Sequence, residues 1–130
     1  MDNEIGMNPI ILVVEDVHET RDGIEKLLKV DGYRLVLARD ELDGIESAQR
    51  QRPDLILVSL DGLPSEVLMS GCRIRESAAA GDDVPIVIFC FDEIAAAEVA
   101  IGKNVHIAQP DNFNQLRDLL SRLLQPVIAT

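Results

Sequence analysis

Glu15 and Asp16 stand side by side after the apolar run Pro9-Ile10-Ile11-Leu12-Val13-Val14. An adjacent carboxylate pair at the end of a buried strand is a place where chemistry can occur. In a polar crevice, two carboxylates suit Mg²⁺, which takes carboxylate, water and phosphate oxygens. The plainer reading is that Asp16 caps the next helix, since Asp is a favoured N-cap residue. A further acid, Asp61, follows Ser59 by two residues in Leu57-Val58-Ser59-Leu60-Asp61-Gly62. Residues two apart share a face while a strand stays extended, but Asp-Gly is also a strong turn signal. Cys72 and Cys90 lack metal-ligand or CxxC spacing and read as buried free thiols. His18 and His106 have no spacing partner for zinc. There is no Gly-rich phosphate loop, HExxH or GxSxG element.

These residues need elements to hold them. Residues 9–14 are continuous and β-branched, as in a strand buried on both faces. A helical pattern follows through Val17, Ile24, Leu27 and Leu28, and Gly32 supplies a stop. Strands are then expected over residues 33–38, 54–59, 84–90 and 105–108. The helices between them cover residues 41–51, with Leu42, Ile45 and Ala48 on one face, a segment from Pro64 to a break at Gly81-Asp82-Asp83, and residues 93–101. Asn112 is expected to cap a last helix with the stripe Phe113, Leu116, Leu119, Leu120, Leu123 and Leu124.

Five alternating strand–helix units predict an α/β fold, a flavodoxin-like (βα)5 three-layer sandwich. Its parallel sheet runs in the order 2-1-3-4-5, with a crevice beyond the C-terminal strand ends. That places Glu15, Asp16, Ser59, Cys90 and Gln109 around one crevice. The 130 residues fit one domain over residues 9–125, with tails at 1–8 and 126–130. A formal charge of −11 argues against a nucleic-acid surface. Residues 1–8 have no signal-peptide pattern, and the longest apolar run is too short to span a bilayer, so a cytoplasmic chain without a membrane partner is expected.

The run Ile11-Leu12-Val13-Val14-Glu15-Asp16, with Gly32-Tyr33, Arg52-Pro53-Asp54-Leu55-Ile56-Leu57-Val58, Val84-Pro85-Ile86-Val87-Ile88 and Gln109-Pro110, resembles a response-regulator receiver domain of two-component signalling. The resemblance implies an acidic pair, a phosphoacceptor aspartate ending strand three, a Ser or Thr ending strand four, and a Lys ending strand five. The pair is retained as Glu15 and Asp16, but the other three positions hold Ser59, Cys90 and Gln109. A serine hydroxyl without an adjacent base is a far weaker nucleophile than a carboxylate, and its presence removes one anionic metal ligand. A thiol donates weakly to phosphoryl oxygen, and Gln109 supplies no cation for the transferring group. The aromatic switch position is His106. Pro64 lies one residue further on than the family spacing, and Arg75 restores it, so the loop after Ser59 is rebuilt while the strand keeps its register.

The resemblance therefore implies a stand-alone pseudo-receiver in phosphorelay signalling. It is expected to act by protein–protein interaction without Asp phosphorylation and not as an enzyme. The alternative is a phosphorylatable receiver that uses Asp61, or Ser59, as substitute acceptor with Mg²⁺. No cofactor is required on the first reading, though Glu15 and Asp16 leave room for weak Mg²⁺. The expected partner is a histidine kinase or output protein on the face formed by the fourth helix, fifth strand and last helix, roughly residues 93–124. A homodimer through that face is also allowed.

Overall fold

The computed structural model describes residues 8–89, 104–108 and 113–124. The expected tail residues 1–7 and 126–130, Cys90, the helix over 93–101, Gln109 and the Asn112 cap lie outside the described residues.

Five short strands form one parallel sheet in the order β2-β1-β3-β4-β5: β1 Ile10–Glu15, β2 Arg34–Ala38, β3 Leu55–Ser59, β4 Ile86–Phe89 and β5 Val105–Ala108. Every pairing is parallel, and β1 and β3 align Leu12 with Ile56 and Glu15 with Ser59. The apolar runs are continuous because both faces are covered. Alternate side chains sort to opposite faces. Leu12, Val14, Ile56, Val58, Ile86 and Ile88 pack in one core with Ala48, Val67 and Ile74. The last three belong to α2 (Glu41–Arg50) and α3 (Pro64–Ser77). Ile11, Val13, Leu55, Leu57, Val87 and Phe89 pack on the other face with Ile24, Leu28, Leu116 and Leu120. Those come from α1 (His18–Val30) and the last helix, α4 (Phe113–Leu124).

Two glycines set how closely the helices approach. A Cβ on Gly44 of α2 would meet Ile74 Cδ1 at 2.9 Å, and one on Gly71 of α3 would meet Ile86 Cγ2 at 3.0 Å. These are closer than ordinary packing allows, so α2 seats on α3, and α3 on the sheet, only without side chains there.

Three expected apolar positions fall elsewhere. Val17 precedes α1 with extended backbone and is exposed, as is Leu42 in the first turn of α2. Phe113 also begins its helix exposed, with its ring edge-on to Phe89 at 6.2 Å. All three sit at helix starts, where the chain has just left the sheet. A periodic pattern extends past the last residue that packs. The strands at 34–38, 55–59 and 86–89 are each shorter than expected, because pairing begins only after the loop has turned.

Candidate functional site

Parallel pairing brings the C-terminal ends of β1 and β3 together, with Glu15 level with Ser59. Glu15 is only 3% exposed. Its Oε2 accepts a hydrogen bond from the Val17 N–H at 2.9 Å, while its buried Oε1 has no partner within hydrogen-bond geometry among the described residues. Burial pushes the Glu15 carboxyl above its usual range. Ser59 and the Val17 N–H oppose this, and the nearby Asp16 carboxyl adds to the rise. Ser59 is half-buried and Asp16 exposed. The result is a buried acid whose neighbours are another acid and a neutral hydroxyl. Among the described residues its carboxylate has no cationic partner, although Arg21 holds the backbone carbonyl of the same residue.

Asp16 does not cap α1. The N-cap residue is Val17, which has no side-chain cap, and Glu15 reaches forward to the Val17 N–H instead. Asp61 is exposed in a bend beyond the end of β3. Gly62, at φ 132°, takes the turn that favours glycine, and Glu66 Oε1 then accepts from the Leu63 N–H to start α3. Asp61 is therefore placed in the turn and not in the strand. His106 lies within β5; its Nε2 donates to Asn104 Oδ1 at 3.0 Å. Burial, then Arg122, holds its pKa below the ordinary histidine value. Cys72 is a half-buried free thiol packed against the core of the α2–α3 face. Cys90 and Gln109 lie outside the described residues.

Two clamps at this end were missed from sequence. Arg21 Nη1 donates to the Glu15 carbonyl at 2.7 Å, and its Nη2 lies 3.1 Å from His18 Nδ1. Helical side chains lean toward the N-terminus, so an Arg in the first turn after a strand can reach back to that strand's end. That direction was the available signal. Glu41, at the start of α2, accepts from Arg73 Nε at 2.6 Å and from Ser70 Oγ at 2.7 Å on α3. No sequence spacing announces this pair.

A second hollow, about 590 Å³ and wide open, lies between the α1–β2 turn and α4, lined by Asp31, Tyr33, Asn114, Arg117, Asp118 and Ser121. Its main charges are paired, with Arg117 Nε and Nη2 on the Asp31 carboxylate at 2.8 and 2.7 Å.

The sheet order and the crevice at β1 and β3 define a flavodoxin-like receiver fold. No protein-family profile matches the chain. Among curated proteins it is similar to the response regulator MprA of Mycobacterium leprae, 30% identical over 123 residues, which cover 88% of this chain and 50% of the relative. MprA of Mycobacterium ulcerans is also 30% identical, over 92% of this chain and 51% of its own length. The chain thus spans about half the length of the curated relatives it matches. Among solved structures, the receiver domain of sensor histidine kinase PA1611 from Pseudomonas aeruginosa, with magnesium in its active-site cleft, aligns at TM-score 0.68 and 28% identity. That alignment covers 92% of this chain and 99% of the other. TrrA of Thermotoga maritima, solved with magnesium and beryllofluoride, aligns at TM-score 0.74 and 19% identity over 89% of this chain and 99% of its own. These relatives and neighbours support a receiver domain of the response-regulator kind.

Magnesium in those neighbours raises the question of whether this crevice has the donors for it. Mg²⁺ demands near-octahedral oxygen coordination and gives up water reluctantly. Here Glu15 commits Oε2 to the Val17 N–H, its Oε1 is closed off from solvent, and β3 ends in a neutral hydroxyl. Among the described residues, no group of three His, Cys, Asp or Glu side chains is placed to hold a metal ion. The described residues by themselves do not supply a complete magnesium centre. Among the described residues, no helix is long and apolar enough to cross a membrane.

Proposed function

We propose that the chain is a pseudo-receiver, which signals by binding other proteins and not by carrying phosphate on an aspartate. The observation that carries this reading is Ser59 at the end of β3, opposite Glu15 in the register. A stable acyl phosphate needs a carboxylate at that point, and serine does not supply one. Asp61 is a poor substitute acceptor, because it is exposed in the turn that starts α3. Cys90 and Gln109, read by register with the family, would withdraw the hydroxyl and the cation that assist phosphoryl transfer.

The partner is a signalling protein, a histidine kinase or an output domain. The family's usual docking face would include β5 and α4 of this chain. Incubation of the protein with Mg²⁺ and acetyl phosphate, read by intact mass, tests the reading. No adduct is expected. A stoichiometric phosphate adduct that disappears in Asp61→Asn or Ser59→Ala would overturn it and establish the substitute acceptor.

A further inference from the structure

Four exposed apolar side chains lie at one end of the molecule. Val17 immediately follows the β1 end, Leu42 (66% exposed) opens α2 after β2, Leu63 (64% exposed) precedes α3 after β3, and Phe113 opens α4 after β5. In a parallel sheet, the connections after successive strands all emerge at the same end, so these four residues lie at the end of the sheet where the crevice between β1 and β3 opens. Acids stand among them: Asp16, Glu19, Asp61 and Glu66 are all exposed there. At the bottom of the crevice, Glu15 Oε1 is buried without a partner among the described residues.

An apolar rim and an acidic crevice with an orphaned oxygen describe the complement of a particular ligand. Exposed apolar residues gathered around one concavity mark an interaction site more than scattered ones do. A buried carboxylate oxygen with no partner costs free energy until a donor reaches it, and a cationic donor restores most. The described residues do not complete a dication site, but a single ammonium or guanidinium group needs only hydrogen-bond acceptors and a compensating charge. Asp16, exposed beside Glu15, and the half-buried Ser59 provide acceptors on the way in.

We infer that the crevice receives a lysine or arginine side chain of a partner protein, flanked by apolar residues that cover Val17, Leu42, Leu63 and Phe113, with the cation held by Glu15, Asp16 and Ser59. The inference rests on the pseudo-receiver reading and names the chemistry of its partner. It explains why the acidic pair persists beside a serine: the pair recognises a charge supplied by another chain. The net charge of −11 favours the same class of partner and speeds its encounter.

The test uses the full chain and a short fluorescent peptide with one lysine between leucines, beside the same peptide with that lysine acetylated. Fluorescence anisotropy is expected to show saturable binding of the lysine peptide. Binding of the acetylated twin, and of the lysine peptide to Glu15→Gln, is expected to be weaker by roughly tenfold or more. Glu19→Gln, on the rim but outside the crevice, is expected to stay within about twofold. Melting curves establish that each variant is folded, and Asp16→Asn provides a second crevice variant. Equal binding by the acetylated twin, or an unchanged affinity in both Glu15→Gln and Asp16→Asn, overturns the inference, as does no saturable binding. The acetyl phosphate experiment separates the two levels: an adduct defeats the pseudo-receiver reading, whereas absent peptide binding without an adduct defeats only the cation inference.

Discussion

The two ends of the sheet are built on opposite terms. At the end where the strands begin, polar groups are paired. Asp54 Oδ2 accepts from the Ile10 N–H at 2.8 Å, and the Asp54 N–H donates to the Ile10 carbonyl at the same distance, locking β3 to β1. Arg75, buried within α3, donates to the Val84 carbonyl at 2.9 Å and faces Asp82 at 3.4 Å. Arg52 donates to the Ala80 carbonyl, and Asn104 to that of Asp82. At the end where the strands finish, one oxygen of a buried acid has no donor among the described residues, apolar side chains face solvent, and the turn after β3 exposes an aspartate. The first end stabilises the fold. The second, among the described residues, leaves an acid oxygen unpaired and apolar side chains exposed.

Substitutions can break or sharpen this contrast. The largest loss is expected for Arg75→Ala, which removes a buried guanidinium and strands the Val84 carbonyl; about 3 kcal/mol should be lost in urea unfolding. Gly71→Val should cost about 2 kcal/mol by overpacking against Ile86 and Val58, with the same midpoint shift by circular dichroism and fluorescence. At the other end the sign should reverse. Glu15→Gln keeps an acceptor for the Val17 N–H but removes a buried, under-compensated charge, so thermal unfolding at neutral pH should show a gain of roughly 1 kcal/mol. A loss in that variant would mean that the crevice is as fully paired as the opposite end.

The smallest effect concerns Glu41, whose carboxyl Arg73 and Ser70 hold below its ordinary value of 4.5. A folded pKa lowered in this way stabilises above the unfolded value and is lost as pH falls through the lower folded one. The pair lies largely in solvent, so its contribution is small. Wild type should lose that increment below about pH 4 relative to Glu41→Gln, which lacks it throughout. Melting temperature against pH for the two proteins provides the measurement.

Much of the fold was legible in the sequence, because β-branched runs between helical patterns admit few windings. The β2-β1-β3-β4-β5 order follows from that constraint. Less legible was the edge of each pattern. Val17 and Leu42 satisfy a helical period but stand where the helix has not yet reached the sheet, and Phe113 reaches it only by an edge contact with Phe89. The acidic pair was visible, yet which acid turned inward was not. Backbone direction at the strand end decides that Glu15 is buried and Asp16 exposed. Arg75 was read only as a marker of spacing, and nothing in an amphipathic pattern distinguishes a buried arginine from a solvated one. Asp61 was readable as a turn through Asp-Gly, and the positive φ of Gly62 bears that out.

The double tether between Asp54 and Ile10 also has a kinetic meaning. It joins residues 44 apart in the chain, so forming it closes a loop that contains α1, β2 and α2. Closures of that length are slow relative to helix formation and dominate the search in parallel sheets. Glu15 and Ser59 meet only through the same β1–β3 pairing. The crevice at Glu15 and Ser59 is thus assembled by the same long-range pairing that sets the sheet order, and no partly folded species lacking that pairing can present it.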